Sequence, residues 1–382
     1  MAAGLLRVAV VTETWPPEVN GVAQTIAQLV QGLHARGHLL QLIRPCQGPG
    51  DNAIQHERYA EVLTRSLPLP RYPQLRMGLP CARLLTKRWT QQRPDVVHIV
   101  TEGPLGWSAL RAAKSLKLPV VSDFRTNFHA YSRHYGVGWL QAPLMAYLRY
   151  FHNRTACTMV PTDALRSELG AAGFQRLEVV ARGVDTQLFN PARRSTALRA
   201  SWGAGPDTLV VMCVGRLAPE KNLDLLLAAA EAMRGDQPQL RLVLVGDGPD
   251  KARLARQCPA AHFAGVRRGE DLAAHYASAD VFIFPSTSET FGNVIPEAMA
   301  SGLAVLAFDH AAAGQLLRHG DNGLLVSPGD SAGFCRMGQR LAGDPAQVRR
   351  LGRQALVTAN QLDWGRIVDA VCSRYLALVP TA

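Results

Sequence analysis

Short, uninterrupted apolar runs alternate with longer amphipathic segments along the first half of the chain. An unbroken apolar run, unlike a strict alternation, is typical of a strand buried on both faces, as in a parallel sheet. These runs predict strands over residues 7–11, 39–43, 96–99, 120–122, 158–160 and 177–180. The amphipathic segments between them predict helices over residues 22–36, 81–92, 105–116 and 162–172.

The second half repeats this alternation. Apolar runs predict strands over residues 210–214, 241–245, 262–263, 281–284 and 304–307. Amphipathic segments predict helices over residues 222–233, 250–257, 271–277 and 294–300, and over the terminal stretches from Ser331. Two doubly wound α/β domains are therefore expected, joined near residues 182–191.

Charged and glycine-containing segments follow five of the predicted strands. They cover residues 13–21, 123–129, 215–221, 246–248 and 286–297. In open α/β sheets, ligands bind beyond the carboxyl ends of the strands, so these segments are the candidate ligand-binding loops.

The segment from residue 285 to residue 302 combines two glutamates with a predicted helix start. Glu289 and Glu297 flank a turn at residues 291–294, and free N–H groups at a helix N-terminus bind anions. Carboxylates accept hydrogen bonds from hydroxyls. An anion with several hydroxyls describes a sugar joined to a diphosphate, while the simpler interpretation is a strand, a turn and a helix capped by a glutamate.

Two further strand-end loops carry candidate phosphate-binding residues. Arg216 and Lys221 lie on one loop, where a forked donor and a point charge suit a diphosphate, although solvated loop charges are the alternative. Asn222 is expected to cap the following helix. In the first loop, Gly21 would let the backbone approach a ligand. That loop lacks the G-x-G-x-x-G pattern, so dinucleotide binding is not supported.

Asp123, Arg125 and His129 follow the fourth predicted strand. An isolated histidine is more often structural, but three ionisable groups at one strand end favour a functional cluster. The chain contains no D-x-D, no H-E-x-x-H and no cluster of cysteines and histidines. We therefore expect neither a metal site nor a cofactor.

The positive charge is concentrated in the first half. The net charge is +11, and residues 1–190 carry 21 Lys and Arg against 12 Asp and Glu. Segments 71–89 and 131–151 mix basic residues with apolar or aromatic ones, which suits a surface lying on anionic lipid or, alternatively, an ordinary helix surface. Nucleic acid is not expected as a partner, because no recognition motif accompanies the charge.

Cysteine usage and hydropathy bear on the compartment. The seven cysteines are dispersed without a pairing pattern, which indicates reduced thiols. The first residues lack the layout of a signal peptide, and no run of eighteen apolar residues occurs. We expect a cytoplasmic protein, with peripheral attachment to the inner face of the cytoplasmic membrane if its basic surface binds lipid.

The loop motifs resemble those of the retaining glycosyltransferases of family four. The matches are Gly21, Arg182-Gly183-Val184-Asp185, Phe189-Asn190-Pro191, Gly215-Arg216, Glu220-Lys221-Asn222, Gly246-Asp247-Gly248, Glu289, Glu297, Ala264-Gly265 and residues 276–280 and 322–326. The resemblance covers essentially the whole chain, most strongly residues 210–330. It is close to bacterial GDP-mannose-dependent mannosyltransferases and to glucosyl- and sulfoquinovosyl-transferases that form glycolipids.

This resemblance implies the GT-B fold, which has two doubly wound, parallel-sheet, Rossmann-like domains with a cleft between them. Residues 1–185 would form the acceptor-binding domain and residues 186–362 the nucleotide-sugar-binding domain. A helix over residues 363–382 would return to the first domain.

The resemblance also implies a role for each loop residue. Arg216 and Lys221 would bind the donor diphosphate, and Gly21 would let the first loop approach it. Glu297 would hold the ribose hydroxyls. Glu289 would hold a hydroxyl of the donor sugar. The backbone amides around Phe291, Gly292 and Asn293 would assist Glu289.

One motif departs from the family pattern. The family usually has Phe-His-Thr after the strand, whereas this chain has Phe124-Arg125-Thr126 and a histidine only at position 129. We expect His129 to take the family histidine's catalytic place, with Arg125 as the alternative. Asp123 and Arg125 would lie on the acceptor side.

The expected function is therefore metal-independent, retaining transfer of a hexosyl group from GDP-mannose or a UDP-hexose. The acceptor would be a hydroxyl of a lipid or lipid-linked molecule at the cytoplasmic membrane face. The donor base stays open among GDP, UDP and ADP. The alternatives are a nucleotide-sugar epimerase of the same fold, a glycosyltransferase acting on a soluble acceptor, a glycosidase with two carboxylates, and a non-catalytic sugar-nucleotide-binding module.

Overall fold

The structure, a computed structural model, describes residues 4–18, 21–69, 72–125 and 141–379. Contacts divide these residues into two units. Unit one holds the described residues up to Arg182 together with the chain from Trp364 onward, and unit two holds residues 183–363.

Unit one contains an eight-stranded sheet of order β10-β9-β8-β7-β1-β2-β4-β3 and a two-stranded hairpin, β5-β6. All neighbours in the large sheet are parallel except β3, which is antiparallel to β4. The strands are β1 Arg7–Val11, β2 Leu39–Pro45, β3 Gln55–His56, β4 Tyr59–Thr64, β5 Ser66–Leu69, β6 Tyr72–Gly78, β7 Val96–Ile99, β8 Val120–Asp123, β9 Cys157–Val160 and β10 Leu177–Val179.

Both faces of this sheet are covered, which explains the unbroken apolar runs. Val8 and Val10 belong to one hydrophobic cluster, while Ala9 and Val11 belong to another, as expected when successive side chains point to opposite faces. The helices of unit one are Gly21–Ala35, Ala82–Gln91, Pro104–Ser115, Gln141–His152, Asp163–Ala171 and Trp364–Leu378.

Unit two contains a six-stranded, fully parallel sheet of order β13-β12-β11-β14-β15-β16. Its strands are β11 Val210–Val214, β12 Arg241–Val245, β13 His262–Gly265, β14 Val281–Phe284, β15 Ala304–Phe308 and β16 Leu324–Val326. Its α-helices are Thr196–Ser201, Leu223–Arg234, Lys251–Gln257, Gly269–Ser278, Val294–Ala300, Ala311–Leu316, Ser331–Gly343 and Pro345–Ala359, and Pro191–Arg193 and Pro219–Lys221 are 3₁₀ turns.

The helix Trp364–Leu378, called the C-terminal helix below, packs in unit one against the helix Gly21–Ala35. A Cβ atom at Gly32 would lie 2.5 Å from a methyl group of Val368. The two helices can therefore pack this closely because residue 32 has no side chain. Arg36 Nε lies 2.7 Å from an oxygen of Asp369. This contact brings the end of the chain back to the first sheet.

The apolar runs predicted the buried strands but not the edge of the first sheet. No apolar run marked β3, β4 or the β5-β6 hairpin, which lie within residues 55–78. β4 is buried at only two of its six positions, so it has no apolar run to reveal it. β5 and β6 both contain proline, which is typical of edge strands. The helix Gln141–His152 was also not predicted.

Candidate functional site

The candidate donor-binding residues of unit two meet at the carboxyl edge of its sheet. Lys221, which ends a 3₁₀ turn after β11, forms an ion pair with Glu289 after β14. Ser286 Oγ donates a hydrogen bond of 3.0 Å to the same Glu289 oxygen. β11 and β14 are adjacent parallel strands, so residues 68 positions apart in the chain contact each other.

Two glycines hold the loops after β11 and β12 in backbone contact. A Cβ atom at Gly246 would lie 1.9 Å from the Gly215 carbonyl oxygen, and one at Gly248 would lie 2.3 Å from the Leu217 carbonyl oxygen. Both are far below any tolerated Cβ contact. Gly246 also has φ +135°, where a side chain would be strained. Gly246 and Gly248 therefore let the loop after β12 pack closely against the loop that carries Arg216.

Arg216 lies on that loop with its side chain 40% exposed, and its Nη1 lies 3.8 Å from Oε1 of buried Glu220. Ser288 Oγ donates a hydrogen bond of 3.1 Å to the Glu220 carbonyl oxygen. The segment after β14 thus supports the turn that presents Lys221.

The expectation for Asn222 was wrong. Its backbone is left-handed, with φ 53° and ψ 46°, and its side chain makes no cap hydrogen bond. Instead its amide donates to the Pro285 carbonyl oxygen at 3.4 Å. At Asn222 a left-handed backbone conformation turns the chain from the 3₁₀ turn into the next helix. Asparagine adopts that conformation more readily than most residues.

Glu297 lies in the first turn of the helix Val294–Ala300 and accepts a 2.9 Å hydrogen bond from the hydroxyl of Tyr276. Burial raises the pKa of Glu297 to about 7, against the lowering effect of the Tyr276 hydroxyl. Burial, together with the neighbouring carboxylate, also raises the pKa of Tyr276. Glu297 therefore changes charge near neutral pH.

Phe291, Gly292 and Asn293 form the turn directly before this helix. Gly292 has φ +89°, which favours glycine. Phe291 is buried, and its carbonyl oxygen accepts a hydrogen bond from Ala312 N at 2.8 Å. The turn is thus fixed to the helix that follows β15 and lies between the two glutamates in the chain.

Unit one contains a chain of four ionisable side chains at the end of β8. Arg125 Nε and Nη2 each lie 2.6 Å from Oδ2 of Asp123, and His98 Nε2 lies 2.9 Å from the same oxygen. His98 Nδ1 lies 2.6 Å from the hydroxyl of Tyr375 on the C-terminal helix. Burial opposes ionisation, but Arg125 and His98 hold the pKa of Asp123 below its ordinary value.

This arrangement fixes the orientation of Asp123 and Arg125. His98 thus contacts Asp123 through Nε2 and Tyr375 through Nδ1. His98 and Tyr375 are fully buried, so neither can exchange its partner for water. The C-terminal helix therefore supports the strand end that carries Asp123 and Arg125, the predicted acceptor side.

The remaining predicted residues fall at the first loop and beyond β8. Gly21 is the first residue of its helix, and its carbonyl oxygen accepts a 2.6 Å hydrogen bond from Thr25 Oγ1. His129 lies outside the described residues. Its assignment to the family histidine's place, with Arg125 as the alternative, stays a prediction.

Two carboxylates in unit one were not assigned a role from the sequence. Glu13 follows β1 and accepts a 2.8 Å hydrogen bond from Leu105 N at the start of a helix. Burial raises the pKa of Glu13 to about 7, although backbone hydrogen bonds lower it. Buried Glu102 follows β7 and lies 3.2 Å from His152 Nε2. The sequence signal that could have identified them is their position shortly after a predicted strand, β1 for Glu13 and β7 for Glu102.

The described part of the chain offers neither a metal-binding cluster nor a membrane-spanning helix. No group of three His, Cys, Asp or Glu side chains there could hold a metal ion. No helix within residues 4–18, 21–69, 72–125 and 141–379 is long and apolar enough to cross a membrane.

Two largely parallel, Rossmann-like sheets with charged loops at their carboxyl edges form the GT-B fold, and a solved structure agrees. The sucrose-phosphate synthase of Thermosynechococcus elongatus superposes with a TM-score of 0.78 at 20% identity, over 98% of this chain and 99% of that one. At this identity the likeness concerns the fold.

Sequence comparisons identify the family. Residues 19–188 match the profile of Glycosyltransferase Family 4, and residues 208–344 match that of Glycosyl transferases group 1. A GDP-mannose-dependent alpha-mannosyltransferase of Mycobacterium tuberculosis is 37% identical over 97% of this chain and 95% of that protein. A sulfoquinovosyl transferase of Arabidopsis thaliana is 31% identical over 94% of this chain and 71% of that protein. The chain belongs to glycosyltransferase family 4 and is a glycosyltransferase.

Proposed function

We propose that this enzyme transfers a mannosyl group, with retention of anomeric configuration, from GDP-mannose to a hydroxyl of a lipid or lipid-linked acceptor. The observation that carries the proposal is the pairing of Lys221 with Glu289 at the carboxyl edge of the second sheet. The Lys221 ammonium group suits a diphosphate, and the Glu289 carboxylate suits a sugar hydroxyl. The named relatives favour GDP-mannose over a UDP-hexose as donor.

Each residue of this edge would then act on one part of the donor. Lys221 and Arg216 would stabilise the departing diphosphate, which lets transfer proceed without a divalent ion. Glu289 would accept from a hydroxyl of the donor sugar, and Glu297 would accept from the ribose hydroxyls. The amides of Phe291, Gly292 and Asn293 would hold the sugar beside Glu289. In unit one, Gly21 would let the first loop approach the diphosphate.

Asp123 and Arg125 would lie on the acceptor side, and His129, or alternatively Arg125, would lie near the anomeric carbon. No carboxylate is assigned as a covalent nucleophile. We therefore infer attack on the same face as the leaving group, with the departing phosphate as the base.

The donor assignment predicts selective stabilisation by one nucleotide. A ligand that binds only the folded state raises its stability by mass action, by about 2.7 kcal/mol at a hundred times its dissociation constant. Thermal melts with GDP, UDP, ADP and their sugars should therefore show the largest shift with GDP and GDP-mannose. Equal shifts in melting temperature for all nucleotides, or a larger shift with UDP, would contradict the assignment of GDP-mannose as donor.

Product analysis then separates the proposal from its alternatives. GDP-mannose incubated with lipid acceptors and a chelator should release GDP and give an α-linked product by NMR. Conversion of the donor without an acceptor would indicate an epimerase. Cleavage of sugars without a nucleotide would indicate a glycosidase. Transfer only to water-soluble acceptors would remove the lipid assignment, and donor binding without GDP release would indicate a non-catalytic module.

The lipid assignment rests on exposed aromatic, apolar and basic side chains of unit one. Tyr150 is 50% exposed, and the Arg154 guanidinium lies 3.2 Å from the centroid of its ring. Trp107 packs against Tyr150 and joins a cluster that includes the helix Ala82–Gln91, where Leu84 is 49% exposed. Aromatic rings, an apolar side chain and cations together suit the interface of an anionic bilayer.

This surface predicts salt-sensitive binding to anionic vesicles. The full chain should float with phosphatidylglycerol vesicles at low salt and less so at high salt, because surface attraction is screened. The double variant Leu84→Ser/Tyr150→Ser should lose most of this binding. Val357→Ser is the matched control, since Val357 is 55% exposed in unit two. Flotation that is absent in the wild type, or unchanged in the double variant, would contradict the assignment.

A further inference from the structure

Unit two contains a cavity of about 590 Å³ at the opposite edge of its sheet from the donor residues. Leu209, Asp280 and Gly302 line it just before β11, β14 and β15, whereas Lys221 and Glu289 follow β11 and β14. The four residues of β14 span about 13 Å. The cavity is therefore separate from the donor site, and its volume falls within the range of small-molecule sites, about 300–1,000 Å³.

Two arginines on one wall carry uncompensated positive charge. Arg349 and Arg353 lie four residues apart on the exposed side of the helix Pro345–Ala359, and both line the cavity. Neither forms an ion pair with any residue that the structure describes, whereas Arg194 at the same cavity pairs with Asp280 at 2.7 Å. Like charges one helical turn apart repel. An anion held between the two guanidinium groups would relieve that repulsion.

A buried hydroxyl that also lines this cavity has no hydrogen-bond partner among the described residues. Ser301 lines the cavity and is 3% exposed, yet its Oγ makes no hydrogen bond to any described residue. Ser301 lies close to the arginine-bearing helix, because a Cβ atom at Gly352 would lie 2.2 Å from the Gly302 carbonyl oxygen. Buried hydroxyls in folded proteins are normally hydrogen-bonded. The orphaned Oγ is therefore a donor for a ligand oxygen.

The rest of the cavity wall offers acceptors for hydroxyl groups. Asp207 and Gln237 line it, and the Gln237 amide nitrogen is engaged by the Ala342 carbonyl oxygen at 3.1 Å, which leaves the amide oxygen as an acceptor. Two guanidinium groups and a hydroxyl suit a phosphate, while a carboxylate and an amide oxygen suit a polyol. We propose that this cavity binds a sugar phosphate, with its phosphate at Arg349, Arg353 and Ser301.

Calorimetry with the full chain tests the proposal, using mannose 6-phosphate, mannose and inorganic phosphate as probes. A saturating nucleoside diphosphate keeps the donor site occupied. Mannose 6-phosphate should bind, mannose should not, and inorganic phosphate should bind more weakly. Arg349→Gln/Arg353→Gln should weaken mannose 6-phosphate by about tenfold or more, because hydrogen bonds to charged groups are lost. Ser301→Ala should weaken it less.

The neighbouring helix Ser331–Gly343 offers a matched control. Arg336 and Arg340 are also exposed and four residues apart, so Arg336→Gln/Arg340→Gln removes the same charge without touching the cavity. This control should bind the probe as the wild type does. No binding to the wild type, equal loss in both double variants, or inorganic phosphate binding as tightly as mannose 6-phosphate would overturn the proposal. Nucleotide affinity measured in the same variants reports the donor site separately.

Discussion

Replacing Lys221 by alanine is expected to lower kcat/KM by about a hundred- to a thousandfold. Removing one preorganised donor from a site of developing negative charge costs about 2.7–4 kcal/mol of transition-state stabilisation. Lys221 is the cation whose place is fixed most firmly at this edge, because its side chain is only 13% exposed and pairs with Glu289. The loss should fall mainly on kcat if the charge acts on the departing diphosphate. Steady-state kinetics with the donor varied measures both parameters.

The ion pair makes the double variant informative. Lys221→Ala alone leaves the Glu289 carboxylate without its cation, so part of the loss could come from misplacing that carboxylate. Lys221→Ala/Glu289→Gln removes both charges, and it should be no more active than Lys221→Ala if the lysine acts directly. Arg256→Ala, an exposed change in the same unit, should leave the kinetics unchanged. Wild-type turnover in folded Lys221→Ala would refute the role.

The meeting of Lys221 with Glu289 could be predicted from the sequence, for a physical reason. Lys221 and Glu289 each follow an apolar run, and adjacent parallel strands bring such positions together, so their proximity follows from topology. The supporting contacts do not follow from it. Tyr276, which hydrogen-bonds Glu297, lies in an ordinary helix. Nothing in the sequence shows which face of that helix meets the glutamate.

The strand end that carries Asp123 and Arg125 depends on contacts between distant parts of the chain. His98 lies inside an apolar strand and Tyr375 lies 277 residues later in the C-terminal helix, so no local pattern joins them. Asp123 and Arg125 could be predicted as a cluster because they share one strand end. The contacts that hold them there could not be predicted, because they require the packing of Val368 against Gly32. That packing returns the C-terminal helix to the first sheet.

Local rules also failed where the backbone took an uncommon conformation. Asn222 precedes an amphipathic helix, and asparagine is a common cap, so a capping role was expected. The preceding 3₁₀ turn requires a left-handed residue at that position instead. The choice between the two depends on how the chain leaves the turn to enter the helix Leu223–Arg234, and that is set by packing rather than by the local sequence.

Glu297→Gln is expected to weaken donor binding by roughly ten- to a hundredfold at pH 8, because hydrogen bonds to charged groups contribute about 1.5–3 kcal/mol. Burial raises the pKa of Glu297 to about 7, so the wild-type carboxyl is protonated below this pH in the free enzyme. The ribose hydroxyls would donate to the carboxylate, so binding at lower pH must first release a proton. Donor affinity should therefore fall by up to about tenfold for each pH unit below 7 and be constant well above it.

The glutamine variant removes this proton and keeps an acceptor oxygen, so its donor affinity should be weak but nearly independent of pH between 6 and 8. A merely structural role for Glu297 would change stability without altering the pH profile of binding. Calorimetric titration with the donor across that range, with thermal melts alongside, separates the two. Glu270→Gln is the control, because Glu270 is exposed on the helix Gly269–Ser278 of the same unit. If Glu297→Gln keeps the wild-type pH dependence, the ribose contact belongs to another group.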